Sequence, residues 1–338
     1  MTRRRAALVG AGGMGRNWAE NLRGCDEVEL VAWVDLRPEV AAAAAAALDL
    51  RDLHTGTTLA AALRATRPDF VVDVSTPEAH HDVTLEALAY GVPVLGEKPM
   101  ADTMERARAM VAASERAGTL YMVSQSRRYH AGLASFRALI AGCLGPLGMI
   151  TTDFFLGPHF GGFRETMASP LLLDMAIHTF DAARYLSGAD PVAVYCEQFN
   201  PAWSWYAGAA CATALFELSG GLRYTYRGSW CAEGRPTSWE GEWRAIGAQG
   251  TATWNGEQAP VAEVVTAQDG FFSSVAQRSE ALPTWEHSGI AASLRDFLGA
   301  LRTGATPMGE CHDNIKSLAM VFAAIESASS GRRVLIQI

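Results

Sequence analysis

The stretch Ala6-Ala7-Leu8-Val9-Gly10-Ala11-Gly12-Gly13-Met14-Gly15 decides how the first third of this 338-residue chain folds. Four apolar residues run into a turn of the form G-x-G-x-x-G, and residues 13–22 beyond it carry helical spacing. A strand that opens a helix through such a turn cradles a pyrophosphate. Gly10 makes the tight turn, Gly12 lets backbone amides approach the anion, and Gly15 lets the helix pack close to the sheet. Gly13 and Met14 lie in the same turn and are counted with it as cofactor-binding. Val31-Ala32-Trp33-Val34-Asp35 then ends a second strand, 20 residues after Gly15. There a carboxylate accepts hydrogen bonds from the adenosine ribose hydroxyls. Asp35 would repel a 2′-phosphate, which favours NAD. Arg37 could neutralise such a phosphate, keeping NADP open, or serve only as a solvated loop arginine.

Outward from this turn, short apolar runs at 6–10, 30–34, 70–74, 92–95 and 120–123 alternate with helical patterns at 13–22, 38–48, 59–65, 79–90 and 104–117. Gly91 and Gly118 stand where helix C-caps want glycine. Strands alternating with helices predict a parallel sheet covered on both faces. Past about residue 150 the texture changes to longer alternating strands. In 222–230, Leu222, Tyr224, Tyr226 and Trp230 share one face while Arg223, Thr225, Arg227 and Ser229 share the other. Seven of the nine tryptophans fall in this half, most of them expected on the sheet surface at a subunit interface. Helices at 289–301 and 313–329 and a strand at 334–338 close the chain. The expected architecture is an α/β domain, residues 1–125, plus an α+β domain, 126–338, with an open, largely antiparallel mixed sheet.

The composition limits the function classes. Hydrophobic residues at 49% and charged residues at 19% exclude a disordered chain. A net charge of −8 offers no basic field for nucleic acid or anionic lipid. The six cysteines include no C-x-x-C pair, which predicts reduced, mostly buried thiols rather than a zinc site. The apolar run behind Met1-Thr-Arg-Arg-Arg is too short for a signal peptide, and no stretch of 18 uncharged apolar residues occurs. The expectation is a cytoplasmic protein with no membrane partner.

Two loops point at the crevice beyond the strand ends, where ligands of open parallel sheets bind. One is Asp73-Val74-Ser75-Thr76-Pro77-Glu78-Ala79-His80, in which Ser75, Thr76 and His80 offer hydrogen bonds toward the nicotinamide half of a cofactor. His80 reads equally as an ordinary polar residue at a helix start. The other is Gly96-Glu97-Lys98-Pro99. Lysine occurs only twice in the chain, as Lys98 and Lys316. An ammonium at a strand end can polarise a reacting oxygen; a local Glu97–Lys98 ion pair is the alternative. In the second half, Ser169 reads as an N-cap, Pro170 as the first helical residue and Gly188 as the stop. On that helix Asp174, His178 and Asp181 form a stripe at i, i+4 and i+7, either satisfied in a core or catalytic. A carboxylate one turn from an imidazole fixes its tautomer and raises its basicity. No second ligand pair accompanies Asp174 and His178, so no metal is expected.

Gly10-x-Gly12-x-x-Gly15, Ser75-Thr76-Pro77 with His80, Glu97-Lys98-Pro99, Asp174-x-x-x-His178 with Asp181, and the closing 327–333 pattern together resemble the glucose-fructose oxidoreductase / inositol dehydrogenase / rhizopine-catabolism (Gfo/Idh/MocA) oxidoreductases. The resemblance implies a Rossmann domain, a C-terminal sheet that supports homodimers or homotetramers, and hydride transfer between a nicotinamide and a secondary alcohol of a sugar or cyclic polyol. It implies His178 as general base, Asp174 as its substrate-touching partner and Lys98 as the polarising residue. The family often runs glycines before this helix; here Ser169-Pro170-Leu171-Leu172-Leu173 stands instead, which bears on substrate shape. Arg127, Arg128 and Tyr129 occupy the family's basic-aromatic segment. His159, Arg164 and Glu165 lie in or beside a glycine-rich loop. Arg127, Tyr129, His159 and Arg164 are candidate substrate contacts, or equally domain-interface residues. A glycosidase that recycles bound NAD, and a dinucleotide-sensing regulator without catalysis, are the alternatives.

Overall fold

A computed structural model describes residues 3–50 and 52–338; Met1 and Thr2 of the basic N-terminal stretch lie outside the described residues. The chain divides into two compact units, one formed up to Ser126 together with His287–Ile315, the other by Arg127–Glu286 together with Lys316–Ile338. The chain thus passes between units three times, where the sequence pattern marks a single change near residue 125.

In the first unit the elements run β1 (Arg4–Val9), α1 (Gly13–Arg23), β2 (Val28–Val34), α2 (Pro38–Ala47), β3 (His54–Gly56), α3 (Leu59–Thr66), β4 (Phe70–Asp73), α4 (Pro77–Ala89), β5 (Val94–Gly96), α5 (Met104–Ala117) and β6 (Tyr121–Val123). The sheet order is β3-β2-β1-β4-β5-β6, all parallel. This is the doubly wound Rossmann order, and it reverses between β1 and β4, where a crevice opens at the strand ends. The strands are buried because helices cover both faces: Ala6, Ala7, Leu8, Phe70, Val71 and Val72 are all at 0% exposure. Prolines begin α2 and α4, where a missing N–H costs nothing. Thr103 caps α5 through the Arg106 amide at 3.2 Å, and Gly118 ends it in the left-handed region at φ 58°.

The second unit contains α6 (Ala131–Cys143), β7 (Leu147–Phe155), the single turn α7 (Phe163–Thr166), a π-helical turn (Leu171–Ala176) leading into α8 (Ile177–Ser187), and β8 (Pro191–Phe199). Then follow β9 (Cys211–Leu218), β10 (Arg223–Ser229), β11 (Glu242–Gly247), β12 (Gly250–Trp254), β13 (Val261–Ala267) and β14 (Ser274–Ser279). α9 (Gly289–Thr303) returns to the first unit, α10 (Cys311–Ser330) starts there and ends in the second, and β15 (Val334–Leu335) completes the second sheet. That sheet has nine strands in the order β14-β13-β12-β11-β7-β10-β9-β8-β15, antiparallel except for the β7–β10 pair. Its inner face packs on α8, where Phe180 meets Phe216 edge-on at 4.7 Å and Tyr226 at 5.3 Å. Each such buried aromatic contributes about 2–3 kcal/mol of apolar burial. The β10 alternation places Tyr224 and Tyr226 at 0% exposure and Arg227 outward, while Ser229 is drawn in to 9%. Trp230, Trp243 and Trp254 are core residues of this unit, each at 2–3% exposure, rather than sheet-surface residues.

α9 packs on the first sheet through Phe297, whose ring lies 5.5 Å from Phe70. The six cysteines are free, five of them buried and Cys143 half-buried. Among the described residues no helix is long and apolar enough to cross a membrane.

Candidate functional site

The glycine turn behaves as its spacing predicts. Gly10 sits at φ +97°, and a Cβ there would stand 2.5 Å from the Val74 carbonyl oxygen; a Cβ on Gly15 would stand 2.1 Å from the Gly10 oxygen. Both are close approaches that only glycine permits. At Gly12 and Gly13 an added Cβ meets nothing within 4 Å, so the turn is open on the side from which a pyrophosphate would approach the start of α1. Met14 is 45% exposed beside it. Asp35 Oδ2 accepts the Ala11 amide at 2.8 Å and Oδ1 accepts the Arg37 amide at 2.9 Å, so one carboxylate fixes both the turn and the loop after β2. Each oxygen retains a lone pair for a ribose hydroxyl. The Arg37 side chain is 71% exposed, with Nε 4.0 Å from Asp35. Gly10, Asp35, Arg37, Thr58, Ser75 and Thr76 line a cleft of about 640 Å³ at the β1/β4 reversal. The volume, the open glycines and the Asp35 carboxylate in the lining all fit a dinucleotide.

Behind the cleft lies a buried polar network organised by Asp73, the last residue of β4, to which the sequence pattern assigns no role. Ser75 Oγ donates to Asp73 Oδ1 at 2.6 Å, and His80 Nδ1 lies 3.0 Å from Asp73 Oδ2. Ser75 and His80 therefore direct these groups at Asp73, while Thr76 lines the cleft and Pro77 opens α4. Burial pulls the His80 pKa down, but the Asp73 charge and hydrogen bond, with Glu97 and Glu78 behind them, outweigh it and hold it above the usual value. Glu97 is buried too: Trp18 Nε1 donates to one oxygen at 2.8 Å and the Lys98 amide to the other at 3.0 Å. Burial raises its pKa against these donors and the Lys98 charge. Trp18, three residues past Gly15, thus ties α1 to the loop that carries the half-buried Lys98.

In the second unit Pro170 is helical, the Leu173 amide bonds the Ser169 carbonyl at 3.0 Å, and Gly188 ends the helix at φ 67°. The first turns, Leu171–Ala176, are wound as a π-helix, a local widening that recurs at functional sites. Asp174 lies in this turn and accepts Arg164 Nε at 2.6 Å; His178 follows, half-buried, in the first α-helical turn. The expected stripe divides. Asp181, at 2% exposure, turns into the core, where Arg128 Nε and Nη2 grip its two oxygens at 2.7 and 2.6 Å and Ser317 Oγ donates at 2.7 Å. Asp181 is a structural ion-pair residue.

Arg127 donates to the Trp239 carbonyl, lies 3.5 Å from Glu240 and reaches Met175 Sδ at 3.6 Å, beside Asp174. Burial lowers its pKa, partly countered by Glu240. Tyr129 is buried at 5%. His159 stacks on Trp205 at 3.8 Å with Nε2 3.1 Å from Glu233. The second unit thus gathers Arg127, Arg164 and Asp174 about the π turn, places His159 on the preceding loop, and sinks Tyr129 into the core. Tyr206, outside every motif, anchors that loop by donating to the Pro158 carbonyl at 2.9 Å.

A doubly wound parallel sheet with a glycine turn and the Asp35 carboxylate at its reversal, joined to a mixed-sheet unit bearing an Asp/His helix, defines a two-part nicotinamide-dependent oxidoreductase class. Residues 4–125 match the oxidoreductase family model described as an NAD-binding Rossmann fold, and residues 134–253 match the GFO/IDH/MocA C-terminal domain. The chain is 30% identical over 344 residues to D-apiose dehydrogenase of Paraburkholderia graminis, covering 98% of this chain and 89% of that one. It is 28% identical to an inositol 2-dehydrogenase of Rubrobacter xylanophilus, covering 96% and 90%. A crystal structure of an oxidoreductase from Agrobacterium radiobacter in complex with NAD+, L-tartaric acid and magnesium shares the fold at TM-score 0.86 and 22% identity, covering 99% of each chain. The chain belongs to the GFO/IDH/MocA oxidoreductase family, and its first unit is an NAD-binding Rossmann fold.

Proposed function

We propose that this protein is an NAD-dependent dehydrogenase acting on a secondary alcohol, or the corresponding ketone, of a sugar or cyclic polyol. The observation that carries the reading is the cleft of about 640 Å³ with Gly10 and Asp35 at its wall, in a chain of this oxidoreductase family. Relatives named D-apiose dehydrogenase and inositol 2-dehydrogenase support the substrate class; glycosidase and regulator readings are not favoured.

Bound in the cleft, the dinucleotide supplies a nicotinamide ring that accepts or returns a hydride. The glycine turn, Asp35, Arg37, Ser75, Thr76, Pro77, His80 and Glu97 hold or position it, with Asp35 selecting NAD over NADP. Lys98 donates a hydrogen bond to the reacting oxygen and stabilises charge that develops there. His178 takes the hydroxyl proton, and Asp174 orients substrate and imidazole. Arg127, His159 and Arg164 shape the substrate side, while Tyr129 belongs to the core. Lys98→Met and His178→Ala are expected to lower kcat by about 100-fold or more while the Kd for NADH stays within about threefold of wild type. Turnover within tenfold of wild type in both variants contradicts the assignment.

The protein is proposed to act in the cytoplasm as a homodimer or homotetramer. Support for assembly comes from the outer face of the second sheet, where Tyr195 and Leu215 pair across β8 and β9 at 51% and 46% exposure. Light scattering gives the mass directly.

A further inference from the structure

Resting on the dehydrogenase reading, the inference concerns what the substrate carries besides its alcohol. Arg164, in the single turn α7, is held from three sides. Its Nε bonds Asp174 at 2.6 Å, and its guanidinium carbon lies 5.1 Å from the Phe160 ring and 4.8 Å from the Phe163 ring. The loop is itself tied down, since the Gly161 amide bonds Glu165 Oε1 at 2.9 Å and the Ala207 amide bonds the Glu165 carbonyl at 2.8 Å. Among the described residues no acceptor bonds Nη1 or Nη2 of Arg164, although the side chain is only 34% exposed.

One edge of the guanidinium is therefore anchored beside the proposed reaction centre, its faces are flanked by aromatic rings, and its terminal donors remain available. Such a pre-organised fork matches a planar carboxylate, and the loss of rotamer entropy on binding has already been met in the folded protein. Asp174 offsets the charge of Arg164, so the site is not a general anion trap; the match is to one carboxylate in one plane. We propose that the substrate is a polyhydroxy acid, an aldonate or uronate, whose carboxylate is received by the Nη edge of Arg164.

The test compares kcat/KM with NAD for D-gluconate and D-glucuronate against D-glucose, myo-inositol and D-glucose 6-phosphate, in wild type, Arg164→Met and Arg164→Lys. The expected result is an acid-to-neutral preference of about 30-fold or more in wild type, as the loss of a charge-assisted hydrogen bond implies. The preference falls to within about threefold in Arg164→Met, largely through KM, and is intermediate in Arg164→Lys. Neutral compounds or the phosphate ester used as well as the acids by wild type overturn the inference while leaving the dehydrogenase reading intact. An equal loss on acid and neutral substrates in Arg164→Met also overturns it, because Arg164 would then only position Asp174. Silence of every compound with NADH still bound overturns the dehydrogenase reading and this inference with it.

Discussion

Arg128→Met tests whether Asp181 belongs to the core rather than to the chemistry. The pair is 7% and 3% exposed, and the guanidinium supplies two of the donors on the carboxylate, at 2.7 and 2.6 Å. Methionine keeps an apolar stem of similar reach but no charge, leaving Asp181 with the Ser317 hydroxyl at 2.7 Å and Arg184 at 4.0 Å. Removing one partner of a buried ion pair costs about 3–5 kcal/mol, and the nearby Arg184 charge places this case near 3 kcal/mol. In a unit of this size each kcal/mol lowers Tm by about 2–4 °C, which gives a fall of about 6–12 °C. The double variant Arg128→Met/Asp181→Leu removes both charges and is expected to recover most of that loss, since apolar replacement of a whole buried pair is close to neutral. Circular-dichroism melts of wild type, the single variants and the double variant in one buffer provide the comparison. A single variant melting within about 2 °C of wild type, or a double variant no more stable than the single, refutes the reasoning.

Asp35→Asn keeps the side-chain shape and removes its charge, so the preference for NAD over NADP is expected to narrow by about tenfold or more, read from Kd values by fluorescence titration. Gly15→Ala drives a Cβ to 2.1 Å from the Gly10 carbonyl oxygen, a backbone atom with nowhere to move; NAD affinity by titration and stability by thermal melt are both expected to fall, the latter by at least the roughly 1–3 kcal/mol typical of overpacking, about 2–12 °C in Tm. His312 lies between Glu115 at 2.9 Å and Glu310 at 2.7 Å, and these hydrogen bonds raise its pKa above the usual value. A raised folded-state pKa stabilises the protein below the ordinary histidine range and loses that contribution as pH rises through the folded pKa. Wild type is therefore expected to lose more Tm between pH 6 and pH 9 than His312→Gln, by a small margin given the 51% exposure of the imidazole; equal losses contradict it.

Most of the first unit was readable because its signals are local. Apolar strands, proline starts, glycine caps and a turn whose glycines answer to steric contacts all act within a few residues. β3 carries no signal of its own, since His54–Gly56 is three residues without an apolar run, recruited by pairing with β2. The helix carrying Asp174 and His178 is marked in the sequence at its ends by Ser169-Pro170 and Gly188, within a residue of the observed bounds, but its π turn is not legible, since residue spacing at 3.6 per turn carries no sign of a hydrogen-bond slip. Spacing also put Asp181 on one stripe with Asp174; its partner Arg128 lies 53 residues earlier, and only tertiary packing joins them. Asp73 and Trp18 were hidden for a related reason. A buried carboxylate or indole declares itself through what it bonds, here Ser75, His80 and Glu97, and not through its neighbours in sequence. Likewise the amphipathic pattern of α9 identifies a buried face without saying that Phe70 is what covers it.

The most direct measurement of the central claim is absorbance at 340 nm with purified protein and NAD, and separately NADP, against a panel of sugars, inositols and sugar acids. Steady NADH formation with one compound class, and a weaker response with NADP, is the predicted result. No NADH from any compound, while NAD still raises Tm in the same preparation, would contradict it.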